Sequence, residues 1–360
     1  MAYSPLNILH LITSLGGGGT ENFLDQIVSG APARHRTTVA TLQGGGTIAK
    51  RMKRSGVQMR RTPTPWHVLQ LLKEVKPDVL HTCLFWGNQV GRWVGHHQRV
   101  PRIISSQRAI DVWEKPWHSV LDRWTLPWCN GIIVNSLAAQ ALVTKRLRGS
   151  QRTPKLVRIP NGLDVKRFVR ASPEEARRHF NLPPDAIVGG SMGRLHYEKG
   201  AEKLPAFAKE LLTHDPRVVL LVAGTGPLEQ KLKAQCRPWG DRIRFVGWQE
   251  DAVAFLNSLD FFWLLSREES FPQALLEASG MSLPWTAPDI GDIAELKNSG
   301  AAGVLYPVND VAAAARACQN LVRELPAWSA RAASARPELA AQYSLERMIT
   351  AFYEFLDQTT

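Results

Sequence analysis

Two successive series of short apolar runs, each run followed by a helix-length amphipathic stretch, constrain this chain more than any other feature of its sequence. The first series reads "NILHLIT", "HRTTVATL", "PDVLHTCL", "PRIISS", "GIIVNS" and "KLVRIP". The second reads "AIVGGSMGRL", "RVVLLVAGTG", "IRFVGW", "FFWLLS" and "LPWTAPD". Runs that are apolar almost throughout belong to strands buried on both faces, and their alternation with helices predicts parallel sheets covered on either side. "IPNGLDVKRF" and "ASPEEARRHF" interrupt the pattern with an Asn-Gly turn and a proline, which places a domain boundary around Asn161 to Pro173. At 360 residues the chain is long enough for two domains. Doubly wound sheets bind ligands outside the carboxyl ends of their strands, so the loops there are the place to look for function.

Charge narrows the partners. The formal net charge is +12, but up to Phe180 there are 27 Lys and Arg against 10 Asp and Glu, a surplus of 17 that leaves the remainder at about −5. Such asymmetry expects an anionic partner. No nucleic-acid motif accompanies it, whereas an anionic membrane face or a phosphorylated acceptor fits. The four cysteines, Cys83, Cys129, Cys236 and Cys318, are scattered without metal-type spacing, which suits a reduced, cytoplasmic compartment. "LNILHLITSL" has neither a basic leader nor a cleavage site, so no signal peptide is expected. No apolar run is long enough to span a bilayer.

Several segments at strand ends carry candidate chemistry. "SLGGGGTEN" joins the first strand to a helical pattern, and its glycines allow backbone N–H groups to approach an anion. It is not a dinucleotide fingerprint, which argues against a dehydrogenase. "MGRLHYEKG" puts Arg194 and Lys199 past the first strand of the second series, a forked guanidinium and a point charge that together suit a diphosphate. "VAGTGPLEQKL" supplies Gly224 and Gly226, with Pro227 expected in a helix's first turn, and "FVGWQED" supplies Gly247 and Trp248. In "SREESFPQALLEASG" the acids Glu269 and Glu277 stand eight positions apart. Ser270 and Gln273 are expected to form a capping box with Pro272 in the first turn, leaving Glu269 in the loop and Glu277 on the helix. The acids then read as two separate grips on one extended ligand. "PDIGDIAEL" adds a further turn at Gly291.

Taken in order, these segments, with "YSLERMITAFYEFL" at the end, resemble the retaining glycosyltransferases of family 4 over nearly the whole chain. The resemblance implies the GT-B fold of two Rossmann-like domains with a cleft between them. The N-terminal, acceptor-side domain would cover 1–165, joined by the C-terminal helix 343–360, and the nucleotide-sugar domain 166–342. It further implies that Arg194 and Lys199 hold a nucleotide-sugar diphosphate, that Glu269 sits against the transferred sugar and that Glu277 binds the ribose hydroxyls. Gly18 and Gly19 would lie under the donor phosphates. Gly224 and Gly247 would line the donor site, and the helix start near Phe271 and Pro272 would add backbone donors. No metal or cofactor is expected, because cations and the helix end neutralise the leaving diphosphate. Retention would proceed on one face of the sugar, with the departing phosphate taking the acceptor's proton. The sequence departs from the family at "DVLHTC", where His81 is followed by Cys83, and at "ISSQRAID", where Gln107 and Arg108 stand in place of a histidine. His81 and Arg108 are accordingly acceptor-side candidates.

The implied activity is transfer of a hexose from a UDP- or GDP-sugar to a glycan or lipid-linked acceptor, polyprenyl-linked carriers included. A sugar-nucleotide epimerase of the same fold and a non-catalytic sugar-nucleotide-binding subunit are the alternatives. "DVWEKPWHSVLDRWTLPW" bears on the acceptor, since Trp113, Trp117, Trp124 and Trp128 with Val120 and Leu121 paint one helical stripe. The stripe is expected to face the N-terminal core. The competing expectation is an interfacial helix beside Lys115 and Arg123, which would give the protein a peripheral contact with the inner face of the cell membrane.

Overall fold

The computed structural model describes residues 4–108 and 115–359, so Trp113 lies outside the described residues. The chain divides into two compact units, Met1–Gly162 with Leu345–Thr360, and Leu163–Ser344. The first unit holds β1 (Asn7–Ile12), β2 (Arg36–Thr41), β3 (Met59–Arg61), β4 (Val79–Cys83), β5 (Arg102–Gln107), β6 (Gly131–Val134) and β7 (Lys155–Arg158). Their order in the sheet is β3-β2-β1-β4-β5-β6-β7. The second unit holds β8 (Ile187–Met192), β9 (Val218–Ala223), β10 (Ile243–Gly247), β11 (Phe261–Trp263), β12 (Trp285–Pro288) and β13 (Gly303–Tyr306), in the order β10-β9-β8-β11-β12-β13. Every pairing is parallel. All eleven apolar runs of the sequence are strands. β3 and β13 are additional, and β3, which reads Met-Arg-Arg and is mostly exposed, carries no apolar run.

Burial follows the apolar runs. β9 is buried at all six residues, and β1 at five of six. Full burial of a Val, Leu or Ile contributes about 1.5–3 kcal/mol, so these strands are the main source of each unit's stability. Glycines inside strands mark where large rings press against the sheet. A Cβ at Gly189 would lie 2.3 Å from the Phe261 ring, and one at Gly303 would lie 2.2 Å from that of Trp285. Trp285 is fully buried, and its indole N–H donates to Ser279 Oγ at 3.0 Å, so its one polar group is satisfied. Among the described residues no helix is long and apolar enough to cross a membrane.

The helix Pro116–Thr125 departs from the expected core orientation. It buries His118, Asp122 and Thr125 and leaves Trp117, Val120 and Trp124 exposed. A polar network is responsible. Asp122 accepts from Arg92 (2.7 Å) and Gln89 (2.6 Å) through Oδ1, and from Arg146 through Oδ2. Arg92, wholly buried on the helix Phe85–His97, also donates from Nε to Ser105 Oγ at 2.8 Å. Arg146 comes from the helix Leu137–Leu147. One carboxylate therefore ties together three successive helices, and the tryptophans face outward because the inward positions are taken.

Replacing Asp122 by Ala strands two buried guanidiniums without their counter-charge, a change that typically costs about 3–5 kcal/mol. Urea unfolding of D122A should show a loss of that size. A loss under about 1 kcal/mol would mean that the network does not hold the helices.

Candidate functional site

The loops at the carboxyl edge of the second sheet meet backbone to backbone. A Cβ at Gly224, beyond β9, would lie 1.9 Å from the carbonyl oxygen of Gly193, beyond β8. One at Gly200 would lie 1.9 Å from Leu265 O, beyond β11, and one at Gly291, beyond β12, 2.1 Å from Glu269 O. Gly224 N–H donates to Gly247 O at 2.7 Å, which adds the end of β10. Gly224 has φ +125°, outside the range of residues with a side chain. Five strand ends thus share one tightly packed rim.

On that rim stand the candidate side chains. Lys199 closes a one-turn 3-10 helix, Tyr197–Lys199, and its Nζ donates to Glu269 Oε1 at 2.8 Å. Ser266 Oγ donates to the same oxygen at 2.8 Å. The Glu269 side chain is 8% exposed, so two donors hold a nearly buried carboxylate in a loop. Arg194, exposed over 60% of its side chain, donates from Nη2 to Glu198 Oε2 at 2.8 Å. The structure therefore brings Lys199 and Glu269 together, and it gives Arg194 a neighbouring acid on its own loop. Glu277 lies on the second turn of the helix Gln273–Gly280, half-buried, and accepts from Gln273 Nε2 at 3.0 Å.

Two local expectations are corrected, those for Pro272 and Pro227. The helix starts at Gln273 with Pro272 as its N-cap, so Pro272 stands one residue outside the first turn rather than within it. Phe271 packs into the core, 4% exposed and with its ring 5.4 Å from that of Tyr343, so what it brings to the rim is backbone. Pro227 precedes rather than begins its helix, which runs Glu229–Cys236. Ser266 and Glu198 went unnoticed in the sequence, although both lie within motifs already singled out.

In the first unit, Gly18 is the N-cap of the helix Gly19–Ser29. A Cβ there would come within 2.5 Å of Glu21 Oε2, while Gly19 has open space around it. The Glu21 carboxylate thus lies against the glycine loop assigned to phosphates. His81 sits inside the sheet, fully buried, between His10 Nδ1 at 2.9 Å and Ser106 Oγ at 2.8 Å. It has no surface to offer an acceptor, which corrects its assignment. Burial holds His81 well below the usual imidazole range, with the charges of His10 and Arg108 adding to it, and burial takes His10 down to about 3. Arg108 is buried as well, its guanidinium 3.5 Å over the Phe23 ring and donating to Ile159 O and Asn161 Oδ1. Burial lowers it to about 9. Sequence order could not separate these buried groups from exposed ones, because both ride on strand ends.

Residues 187–324 match the family described as Glycosyl transferases group 1, and residues 17–167 match Glycosyltransferase Family 4. The chain is 25% identical over 356 residues to the lipopolysaccharide core biosynthesis glycosyltransferase LpsD of Rhizobium meliloti, covering 95% of each. It is 31% identical over 199 residues to a glycogen synthase of Mycobacterium tuberculosis, covering 54% of this chain and 46% of that one. The chain thus spans about half the length of that relative. Among solved structures, the Anabaena protein HepE in complex with UDP-glucose superposes with a TM-score of 0.84 at 20% identity, over 98% of this chain and 99% of that one.

Two outcomes test this geometry. Gly224→Ala adds a Cβ at a forbidden φ and 1.9 Å from a carbonyl oxygen, so differential scanning calorimetry should show a loss of about 1–3 kcal/mol; an unchanged melting temperature means the rim is looser than described. His10 and His81 are neutral when folded and charge once unfolded. Their contribution is present above the unfolded value of about 6.5 and drains away as pH falls below it, for His10 down to about 3, at about 1.4 kcal/mol per pH unit while only the unfolded imidazole charges. His10 and His81 should keep neutral-imidazole NMR shifts at pH 5, and titration of all ten histidines above that pH would refute the burial.

Proposed function

The chain belongs to the group 1 and family 4 glycosyltransferases and has their GT-B fold of two parallel-sheet Rossmann-like domains, and from that premise we propose that it transfers a hexose from a UDP- or GDP-sugar to a glycan or lipid-linked acceptor, with retention at the anomeric carbon and without a metal ion. The observation that carries this reading is the pairing of Lys199 with Glu269 on a rim that also bears Arg194. Lys199 and Arg194 are the cations for a diphosphate. Arg194 is free to leave Glu198, because an exposed ion pair is worth no more than about 1 kcal/mol, whereas a diphosphate offers a bidentate, doubly charged partner. Glu269, fixed by Lys199 and Ser266, presents its remaining oxygen to the sugar. Glu277 accepts from vicinal ribose hydroxyls and keeps Gln273 as its own support.

As the glycosidic bond to phosphate breaks, negative charge grows on the diphosphate, and Lys199 and Arg194 stabilise it there. The departing phosphate oxygen takes the acceptor's proton on the face from which it leaves, so the step needs no protein base. Gly18 and Gly19 belong to the donor loop of the first unit, where the Glu21 carboxylate lies closest to Gly18. Relatives are named for lipopolysaccharide core synthesis, which supports an envelope glycoconjugate as the product class. The surplus of Lys and Arg supports a cytoplasmic enzyme in peripheral contact with an anionic membrane, where such acceptors reside.

A thermal-shift screen of UDP- and GDP-sugars should identify a donor, since saturating ligand adds about 3 kcal/mol at a hundred times its Kd. With that donor, Glu269→Ala should lower transfer by about 100-fold or more while nucleotide binding persists. Glu277→Ala should weaken the nucleotide itself by about 10- to 100-fold, the worth of hydrogen bonds to a charged group. If both variants retain wild-type turnover, the assignment of the rim as the donor site is wrong. The coupling constant of the product's anomeric proton decides between retention and inversion.

A further inference from the structure

Two neighbouring helices of the first unit turn tryptophans outward in matching rows. On Phe85–His97 they are Trp86 and Trp93, and on Pro116–Thr125 they are Trp117 and Trp124. Each pair is seven residues, or two turns, apart, so each row lies along one face. The four rings are 44%, 51%, 45% and 69% exposed. Trp86 and Trp117 approach to 6.1 Å between ring centroids and join the rows, and Val120, also exposed, fills the space between Trp117 and Trp124 along the helix. A row of this kind normally turns into the core. Here the inward side is occupied by Asp122 and its arginines, so the aromatic surface is fixed on the outside. Contiguous exposed apolar surface on an otherwise well-packed unit marks a contact site.

The surrounding charge selects the occupant. The first unit has 23 Lys and Arg against 10 Asp and Glu, a net +13, while the second has 21 against 22, a net −1. The whole surplus of the chain therefore sits on the unit that carries the tryptophans. Among the described residues the two helices bear a single acid, Asp122, and that one is buried. Lys115 and Arg123 flank Trp117 and Trp124, and the first helix runs out through His96 and His97 to Arg99, all exposed. A second copy of the chain would bring the same positive charge to this face. A bilayer with anionic headgroups brings the opposite charge, and indole suits its interface, with an apolar ring body and one N–H for the wet side.

We propose that the paired rows Trp86–Trp93 and Trp117–Trp124 form the surface by which the protein lies on an anionic lipid bilayer, with the rings at headgroup depth and Lys115 and Arg123 on the lipid phosphates. This rests on the reading of a peripheral enzyme and assigns its contact surface.

The test is co-sedimentation of the full chain with vesicles of phosphatidylcholine and phosphatidylglycerol at low salt, with pure phosphatidylcholine vesicles alongside. The double variant W117S/W124S removes two of the four rings, and because Trp117 also stacks on His118, a circular-dichroism spectrum and a single cooperative melting transition verify that it is folded. W248S, an exposed ring of the second unit, is the control. The expected result is binding to the mixed vesicles alone, weakened by half-molar salt, about tenfold or more weaker in the double variant and unaltered in the control. Equal binding by the double variant and the wild type overturns the assigned surface while leaving the peripheral reading in place. No binding by the wild type overturns both, and leaves the donor chemistry to its own assay. Concentration-dependent dimerisation abolished by W117S/W124S, without vesicle binding, also overturns the proposal and makes the face an interface between copies.

Discussion

The second unit depends on backbone packed against backbone at the carboxyl edge of its sheet. Gly200, Gly224 and Gly291 each stand where a Cβ would lie about 2 Å from a carbonyl oxygen of another loop. No other residue fits, and the result is a rim whose loops cannot move independently. Catalytic side chains normally borrow their rigidity from helices or strands. Here the candidate residues have little of either, Lys199 ending a single 3-10 turn and Glu269 lying in a loop, yet Lys199 directly precedes Gly200 and the carbonyl of Glu269 itself meets Gly291. The glycines set the backbone, and the backbone sets the 2.8 Å contact between cation and acid.

That contact explains how an acid can wait, nearly buried, for a ligand. An unpaired carboxylate at 8% exposure would lose most of its hydration, and the Lys199 ammonium with the Ser266 hydroxyl replaces it. Lys199 is itself 32% exposed and so retains protons to donate to an incoming anion. The pair thus faces two ways, with its acid inward and its cation toward solvent. Arg194 is the contrasting case, mostly exposed and held only by the acid four residues on.

The strands were legible because parallel sheets covered on both faces leave unbroken apolar runs, as in β9 with all six residues buried. The glycine-bearing loops were legible for the same reason that they are rigid: only glycine satisfies them. What periodicity could not supply was direction. The stripe of Trp117, Val120 and Trp124 has helical spacing whichever way it points. Its orientation is decided by Asp122 meeting Arg92 and Arg146, partners about 30 residues upstream and 24 downstream. His81 was misread for the same kind of reason, since the residues that enclose it, His10 and Ser106, come from β1 and β5. The place of Pro272 was missed more locally: with Pro272 as the N-cap, the helix starts one residue later than a proline in its first turn requires.

The two units divide the electrostatic work unequally. The first carries the entire net charge of the chain, spread over a surface with few exposed acids, and such a field acts at long range and weakens with salt over a Debye length of about 8–10 Å. The second is nearly neutral overall, and its cations act at contact distance because Glu198 and Glu269 already balance them. A ligand of the second unit must therefore compete with those acids for Arg194 and Lys199, which favours a partner with several fixed oxygens over a single diffuse charge. A diphosphate meets that requirement and an isolated carboxylate does not. The near-neutrality of the unit is thus itself a source of selectivity, because the general attraction for anions has been placed on the other one.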